Sequence, residues 1–98
     1  MKESDIQKQI LDYLKLRRYV VFKHSNVGIY RKDTQAYIPL AFGEKGISDI
    51  IGCSPDGVFT AIEVKHPGGR PSPEQIEFIR SVKRNNGVAF IAYSLGNL

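Results

Sequence analysis

Near the N-terminus, apolar residues recur with the spacing of one face of an α-helix. Between Ser4 and Leu16 they alternate with polar and charged positions, at Ile6, Ile10, Leu11 and Leu14. Ser4 followed by Gln7 resembles a capping box, in which each side chain bonds the backbone of the other residue. The pattern predicts an amphipathic helix from about Ser4, with Glu3 at or just before its first turn.

Extended segments follow, marked by β-branched and aromatic residues between turn signals. The predicted elements are a strand at Tyr19–Phe22, a hairpin within Ile29–Leu40, and strands at Ile47–Ile51 and Val58–Lys65. A strong turn signal, Pro55, Asp56 and Gly57, separates the last two strands. These two strands are therefore expected to pair as antiparallel neighbours.

The strongest helix start in the chain comes after this hairpin. Four successive residues supply an N-cap, a first-turn proline, an early acidic residue and a capping-box glutamine: Ser72, Pro73, Glu74 and Gln75. Gly87 stands where a C-terminal cap belongs, and Val88–Tyr93 is predicted to be a buried strand. Because this helix connects two strands, they can be parallel. The chain is predicted to be an α/β protein with a mixed sheet, in the order α-β-β-β-α-β.

Length and composition limit the chain to one small unit. Its 98 residues leave room for a single hydrophobic core, so residues 1–98 are expected to form one domain. A core of this size is marginal, which favours a dimer. The lone Cys53 fits a reducing cytoplasm and gives no zinc-ligand spacing. No apolar run approaches the roughly 20 residues of a membrane span, so no membrane segment is expected. Met1 to Asp5 are polar and acidic and do not resemble the basic start of a signal peptide, so secretion is not expected either.

The chain is basic, with a formal net charge of +4, which favours a polyanionic partner such as DNA. Candidates for a basic rim are Lys23, Arg31, Lys32, Lys45, Arg70, Arg80, Lys83 and Arg84. Ser25 and Asn26 are further candidates for contacts with DNA phosphate, although a turn role explains them equally well. His24 and His66 fit loop or surface positions better than ligand positions.

Charged residues interrupt two otherwise apolar strands. Side chains alternate along a strand, so Glu63 and Lys65 point to the same face. Asp49 lies within the apolar stretch Ile47–Ile51, and pairing through the turn brings it close to Glu63. Burial of such charges is costly unless they pair or bind a cation. Two carboxylates and one amine are therefore expected to converge.

This combination of groups fits magnesium chemistry. Carboxylate oxygens, waters and substrate phosphate oxygens are the ligands that Mg²⁺ prefers, and Mn²⁺ is expected to substitute for it. The cation would activate water and stabilise the charge that grows on a phosphate. Lys65 would position the nucleophile or balance the charge of the transition state. The residues predict a Mg²⁺-dependent nuclease in which Asp49, Glu63 and Lys65 are catalytic.

The same residues resemble a known nuclease signature. Asp49, a hairpin turn, and then Glu63, Val64 and Lys65 resemble the PD-(D/E)XK pattern, with Ser48 in place of its proline. Nearly the whole chain resembles the virus-type replication-repair nuclease (VRR-NUC) domain. The segments that carry this resemblance are Lys45–Ile50, Ile62–Lys65, Ser72 with Gln75, and Gly87 ahead of an apolar strand. The resemblance implies a restriction-endonuclease-like core, a mixed sheet flanked by helices.

The resemblance also implies functions for particular residues. An acidic residue of the first helix joins the metal site in that family, and here only Glu3 is correctly placed. The backbone carbonyl of Val64 is implied as a metal ligand, and Gln75 as a catalytic residue beside the site. Stand-alone viral and bacterial members of that family, like the related archaeal junction resolvases, work as homodimers that cut branched DNA, so the resemblance implies a homodimer here. The implied activity is therefore a structure-selective endonuclease, in its most specific form one that resolves four-way (Holliday) junctions.

Simpler explanations stay open for each residue. Glu63 and Lys65 would also suit an exposed pair that protects an edge strand, and Asp49 would also suit a turn cap. Glu3 would favour the positive end of a helix dipole, and Gln75 already has a capping role. At the level of function, the alternatives are a nucleic-acid-binding module with a degenerate site and a non-enzymatic accessory subunit.

Overall fold

The chain alternates helices and strands much as its pattern predicts. A computed structural model describes residues 2–24, 29–31, 36–38 and 46–98. In these ranges the elements are α1 (Glu3–Leu16), β1 (Val20–Lys23), β2 (Ile29–Arg31), β3 (Ala36–Ile38), β4 (Ile50–Cys53), β5 (Phe59–Val64), α2 (Pro73–Arg84), β6 (Val88–Ala92) and a short 3₁₀ helix, Leu95–Asn97. The predicted mixed α/β fold is confirmed. β2 and β3 form the predicted hairpin as a separate antiparallel pair, whose turn lies outside the described residues.

Four of the described strands form one mixed sheet in the order β1-β4-β5-β6. β4 is antiparallel to both β1 and β5, whereas β5 and β6 run parallel. The β4–β5 turn closes with a hydrogen bond from the N–H of Gly57 to the carbonyl of Ser54, at 2.8 Å. Gly57 has φ 79°, a conformation that favours glycine. α2 is the crossover between the two parallel strands, so both end at the same edge of the sheet.

The two long helices cover opposite faces of this sheet. α1 packs on one face through Ile6, Ile10 and Leu14, together with Ile62 and Val64 of β5. α2 packs on the other face. Its side chains Ile79 and Val82 cluster there with Ala61 of β5 and Ala89 of β6. Since side chains alternate along β5, Glu63 shares the α2 face with Ala61. None of the described helices is long and apolar enough to cross a membrane.

Two helix termini differ from the sequence prediction. α1 begins at Glu3, one residue early, and its N-cap Lys2 makes no side-chain cap bond. The predicted Ser4–Gln7 capping box is therefore wrong, because Ser4 already lies inside the first turn and Gln7 is buried. After α2, Asn86 adopts the left-handed conformation that was expected of Gly87, with φ 66°. Gly87 instead permits a close approach to the side chain of Val82.

Candidate active site

The β4–β5 hairpin brings two carboxylates together. The last pair of its ladder joins Ile50 and Ile62, and one further step places Asp49 opposite Glu63, on the same face of the sheet. Oδ2 of Asp49 accepts a hydrogen bond of 2.9 Å from the backbone N–H of Val64. This bond ties the Asp49 carboxylate to the end of β5. The predicted proximity of the two acidic residues is confirmed.

Glu63 is a buried acid, with 2% of its surface exposed. Burial raises its pKa from 4.5 to about 8, and Asp49 acts in the same direction, because its carboxylate can accept a hydrogen bond from the protonated form of Glu63 and repels the ionised form. The ammonium of Lys65 lowers this pKa, and the charge of Glu3 adds a further increase. Two close carboxylates in a site of low polarity favour a shared proton or a bound cation over two free charges.

The two oxygens of Glu63 have different surroundings. Oε2 accepts a hydrogen bond of 3.2 Å from Nε2 of Gln75, and Nζ of Lys65 lies 3.8 Å away from it. Oε1 is buried, and no N–H or O–H group of the described residues donates a hydrogen bond to it. An acceptor oxygen that is buried without a donor, beside a second carboxylate, fits a small cation with oxygen ligands. The residues present therefore fit Mg²⁺.

Gln75 caps α2 and also contacts the acidic pair, while its catalytic role stays a prediction. Its backbone N–H donates to Oγ of Ser72 at 3.1 Å, and its Oε1 accepts from the backbone N–H of Ser72 at 2.8 Å. The same side chain then reaches Glu63 through its amide nitrogen. The capping box and the contact with the acidic site are thus parts of one arrangement.

Gly46 holds the start of α2 against the segment that leads to Asp49. It has φ 87°, and a Cβ atom at this position would overlap the backbone of Glu74 and Gln75. Only glycine combines this conformation with so close an approach. The contact brings the N-terminal turn of α2, with Gln75, next to the segment that carries Asp49 just before β4.

Glu3 lies close to the end of β5 but contacts another residue. Its Oε2 accepts a hydrogen bond of 3.2 Å from the backbone N–H of His66, and Nε2 of His66 lies 3.8 Å from the same oxygen. Within the described ranges, no three His, Cys, Asp or Glu side chains are arranged to hold a metal ion. A cation here would thus depend on Asp49 and Glu63, with water and phosphate oxygens. Ligation by Glu3 and by the carbonyl of Val64 stays a prediction.

Residues 1–95 match the family model of the VRR-NUC domain, a range that contains every residue of this site. This chain belongs to the VRR-NUC family. Among curated proteins, none matches it at a significant level. Membership of the family gives the chain a nuclease-type function in DNA processing.

Of the predicted DNA contacts of this VRR-NUC domain, some lie in the part of the chain that the structure describes and others do not. Lys23, at the end of β1, and Arg70, in the β5–α2 loop, are both exposed. Ser25, Asn26 and Lys45 lie outside the described residues, as do Lys32 and the side chain of Arg31. On α2, Arg84 donates to Glu77 at 2.8 Å, and this ion pair lowers the pKa of the Glu77 carboxyl.

Two histidines of the VRR-NUC domain contact acidic residues of the site, His24 through the backbone of Asp49 and His66 through Glu3. The backbone N–H of His24 donates to the carbonyl of Asp49 at 2.7 Å, and the β1–β4 register places the two residues side by side. His66 directly follows Lys65 and contacts Glu3. The adjacency of His66 to Lys65 is a signal visible in the sequence. The position of His24 depends on pairing between β1 and β4, which local patterns do not encode.

Proposed function

We propose that this VRR-NUC domain is a metal-dependent endodeoxyribonuclease that hydrolyses phosphodiester bonds in branched DNA. The observation that supports the proposal most directly is the opposed pair Asp49 and Glu63. One oxygen of this pair is buried without a donor, and the ammonium of Lys65 lies on the same face. A module that only binds DNA has no need for such a group, because buried charge of this kind is destabilising.

The proposed cofactor is Mg²⁺, with Mn²⁺ as a substitute. Asp49 and Glu63 would supply the carboxylate ligands, and Glu3 and the backbone carbonyl of Val64 are the proposed additional ligands. When bound, the cation would provide positive charge for the phosphate oxygens and activate the attacking water. Incomplete coordination by protein is typical of Mg²⁺, which retains several waters and binds substrate phosphates.

The surrounding residues would then prepare the site for an anionic substrate. Lys65 would hold the nucleophilic water or balance the charge that develops on the phosphate, since its ammonium is a compact point charge. Its side chain is only 18% exposed, so solvent screens this charge incompletely. Gln75 would keep the Glu63 carboxylate in place by donating to Oε2. These roles make Lys65 and Gln75 the non-acidic part of the catalytic set.

Substrate binding would rely on the basic residues around the site. Lys23 and Arg70 are proposed to contact DNA phosphates, together with Ser25, Asn26 and Lys45. The net charge of +4 supports attraction of a polyanion. Two copies of the domain in a homodimer would present two active sites to opposite strands, which makes a four-way junction the most specific proposed substrate. The small size of the domain also favours association.

The test is cleavage of end-labelled linear, flap and four-way-junction DNA in Mg²⁺ or in EDTA. We expect cutting in Mg²⁺ only, with the junction cut fastest and both of its opposed strands incised. Cutting that persists in EDTA would contradict the metal mechanism. Binding of all three DNAs without any cutting would favour a degenerate binding module. Sizing at micromolar concentration should give a dimer, and a monomer would contradict paired incision but not nuclease chemistry.

A further inference from the structure

The side-chain amide of Gln75 has a fixed orientation. Its Oε1 faces the backbone N–H of Ser72 at 2.8 Å, and its Nε2 faces Oε2 of Glu63 at 3.2 Å. A backbone N–H can only donate, so the amide end that faces Ser72 must be the oxygen. The opposite end must therefore be the nitrogen. Gln75 can present only a donor to Glu63.

This orientation distinguishes the two oxygens of Glu63. Oε2 receives the amide N–H and lies 3.8 Å from the ammonium of Lys65, so both neighbours compensate charge on that atom. Oε1 receives no donor from any described residue. A rotated amide would place two oxygens against each other and remove the distinction. The backbone N–H of Ser72, which binds the oxygen of the Gln75 amide, therefore determines that Oε1 is the Glu63 oxygen without a donor.

We propose that Ser72 is a positioning residue of the active site: its backbone N–H orients Gln75, which holds Oε2 of Glu63 and leaves Oε1 for the metal ion. The purpose of this arrangement rests on the proposed nuclease function. Its geometry rests on the two hydrogen bonds of the Gln75 amide and on the buried Oε1 that receives no donor. Residues that orient metal ligands in this way typically change metal affinity 10- to 100-fold when they are altered.

Substitutions at position 72 separate this role from ordinary helix capping. Ser72 has φ −74°, which proline can adopt, and Ser72→Pro removes both the cap hydroxyl and the N–H. Ser72→Ala removes the hydroxyl but keeps the N–H, and Ser72→Thr keeps both. A pure capping role predicts that both variants weaken the start of α2 but leave the surroundings of Glu63 unchanged. The positioning role predicts a much larger effect of proline on the site.

The first measurement uses the metal-free protein. The side-chain amide resonances of Gln75 in ¹⁵N–¹H spectra should shift in Glu63→Gln and in Ser72→Pro, and should stay in place in Ser72→Thr. Ser72→Ala should move them only slightly. Resonances that do not respond to Glu63→Gln or to Ser72→Pro would overturn the inference. This result is independent of any cleavage activity.

The second measurement is Mn²⁺ affinity by calorimetry. Ser72→Pro and Gln75→Met should each weaken binding about tenfold, and the double variant should be no weaker than Gln75→Met alone, because Ser72 acts through Gln75. Ser72→Ala should stay within about threefold of wild type. Additive losses, or equal losses in Ser72→Pro and Ser72→Ala, would overturn the inference. A wild type that neither binds Mn²⁺ nor cuts DNA would refute the proposed function, while the amide spectra would still decide the orientation.

Discussion

Asp49 and Glu63 lie opposite each other on antiparallel neighbours, one step beyond the last pair of the β4–β5 ladder. Directly opposed like charges destabilise a sheet, and Glu63 is also almost fully buried. Neither feature helps the protein to fold. Sites of this kind persist where function requires them, at a cost to stability that the rest of the fold must offset.

The first prediction concerns the pH dependence of stability in the metal-free protein. Glu63 has a pKa of about 8 in the fold, against 4.5 for an ordinary glutamate. Between these values the folded state keeps a proton that the unfolded state releases, so rising pH favours unfolding. This contribution to stability is complete below pH 4.5 and is lost as pH rises through about 8. Urea unfolding at several pH values should show the decrease.

The control for this decrease is Glu63→Gln, which has no proton to lose. The variant should show a flatter stability profile across the same range, and saturating Mg²⁺ should reduce the decrease in the wild type because a cation favours the ionised pair. If Glu63→Gln lost stability with rising pH as steeply as the wild type, the decrease would come from titratable groups other than Glu63.

Lys65→Met should abolish catalysis without abolishing metal binding. The variant keeps the length of the side chain but removes the ammonium that lies near Oε2 of Glu63. The DNA cleavage rate should fall at least about a hundredfold, whereas Mn²⁺ affinity should stay within about threefold, because an ammonium is not a metal ligand. Lys8→Met, on the exposed side of α1, is the matched control and should cut at the wild-type rate. Near-normal cleavage by Lys65→Met would remove Lys65 from the mechanism.

Gly46→Ala and Gly57→Ala form a matched pair. Both glycines have positive φ, at 87° and 79°, so alanine is strained at either position by about 1 to 2 kcal/mol. Only at Gly46 would the added methyl also overlap the first turn of α2, whereas at Gly57 it would meet no atom of the described residues within 4 Å. Urea unfolding should therefore show a larger loss for Gly46→Ala, by about 1 to 3 kcal/mol. Equal losses of unfolding free energy in the two variants would show that the close contact between Gly46 and α2 does not contribute to stability.

Glu3→Gln separates metal ligation from attachment of the His66 loop. Glutamine can still accept the hydrogen bond from the backbone N–H of His66, but it lacks the charge. We expect Mn²⁺ affinity to fall about tenfold with little change in unfolding free energy. Wild-type affinity in Glu3→Gln would restrict the role of Glu3 to the contact with His66.

The sequence predicts the acidic pair well because local rules determine it. Alternation along one strand sets the shared face of Glu63 and Lys65, and a single turn around Gly57 sets the register that brings Asp49 across. The capping box at Ser72 is equally local, since all of its partners lie within one helical turn. Such features need no knowledge of distant parts of the chain.

Other features depend on contacts between distant segments. The pairing of β1 with β4 places His24 beside Asp49, yet no turn connects these strands directly. The bond between Glu3 and His66 joins two residues that lie far apart in the sequence. α1 begins at Glu3 without a side-chain cap, and its stability comes from packing of Ile6, Ile10 and Leu14 more than from a capping signal at Ser4. Tertiary packing decides these details, and local propensity does not.

Cleavage of DNA by Asp49→Asn tests the central claim most directly. Asparagine has nearly the same shape and can still accept the hydrogen bond from the N–H of Val64, so the fold should be retained. The measurement is the initial rate of cutting of a labelled four-way junction in Mg²⁺, beside the wild type. The account predicts a rate at least about a hundredfold lower. Cutting by Asp49→Asn at the wild-type rate would contradict a catalytic site built on Asp49 and Glu63.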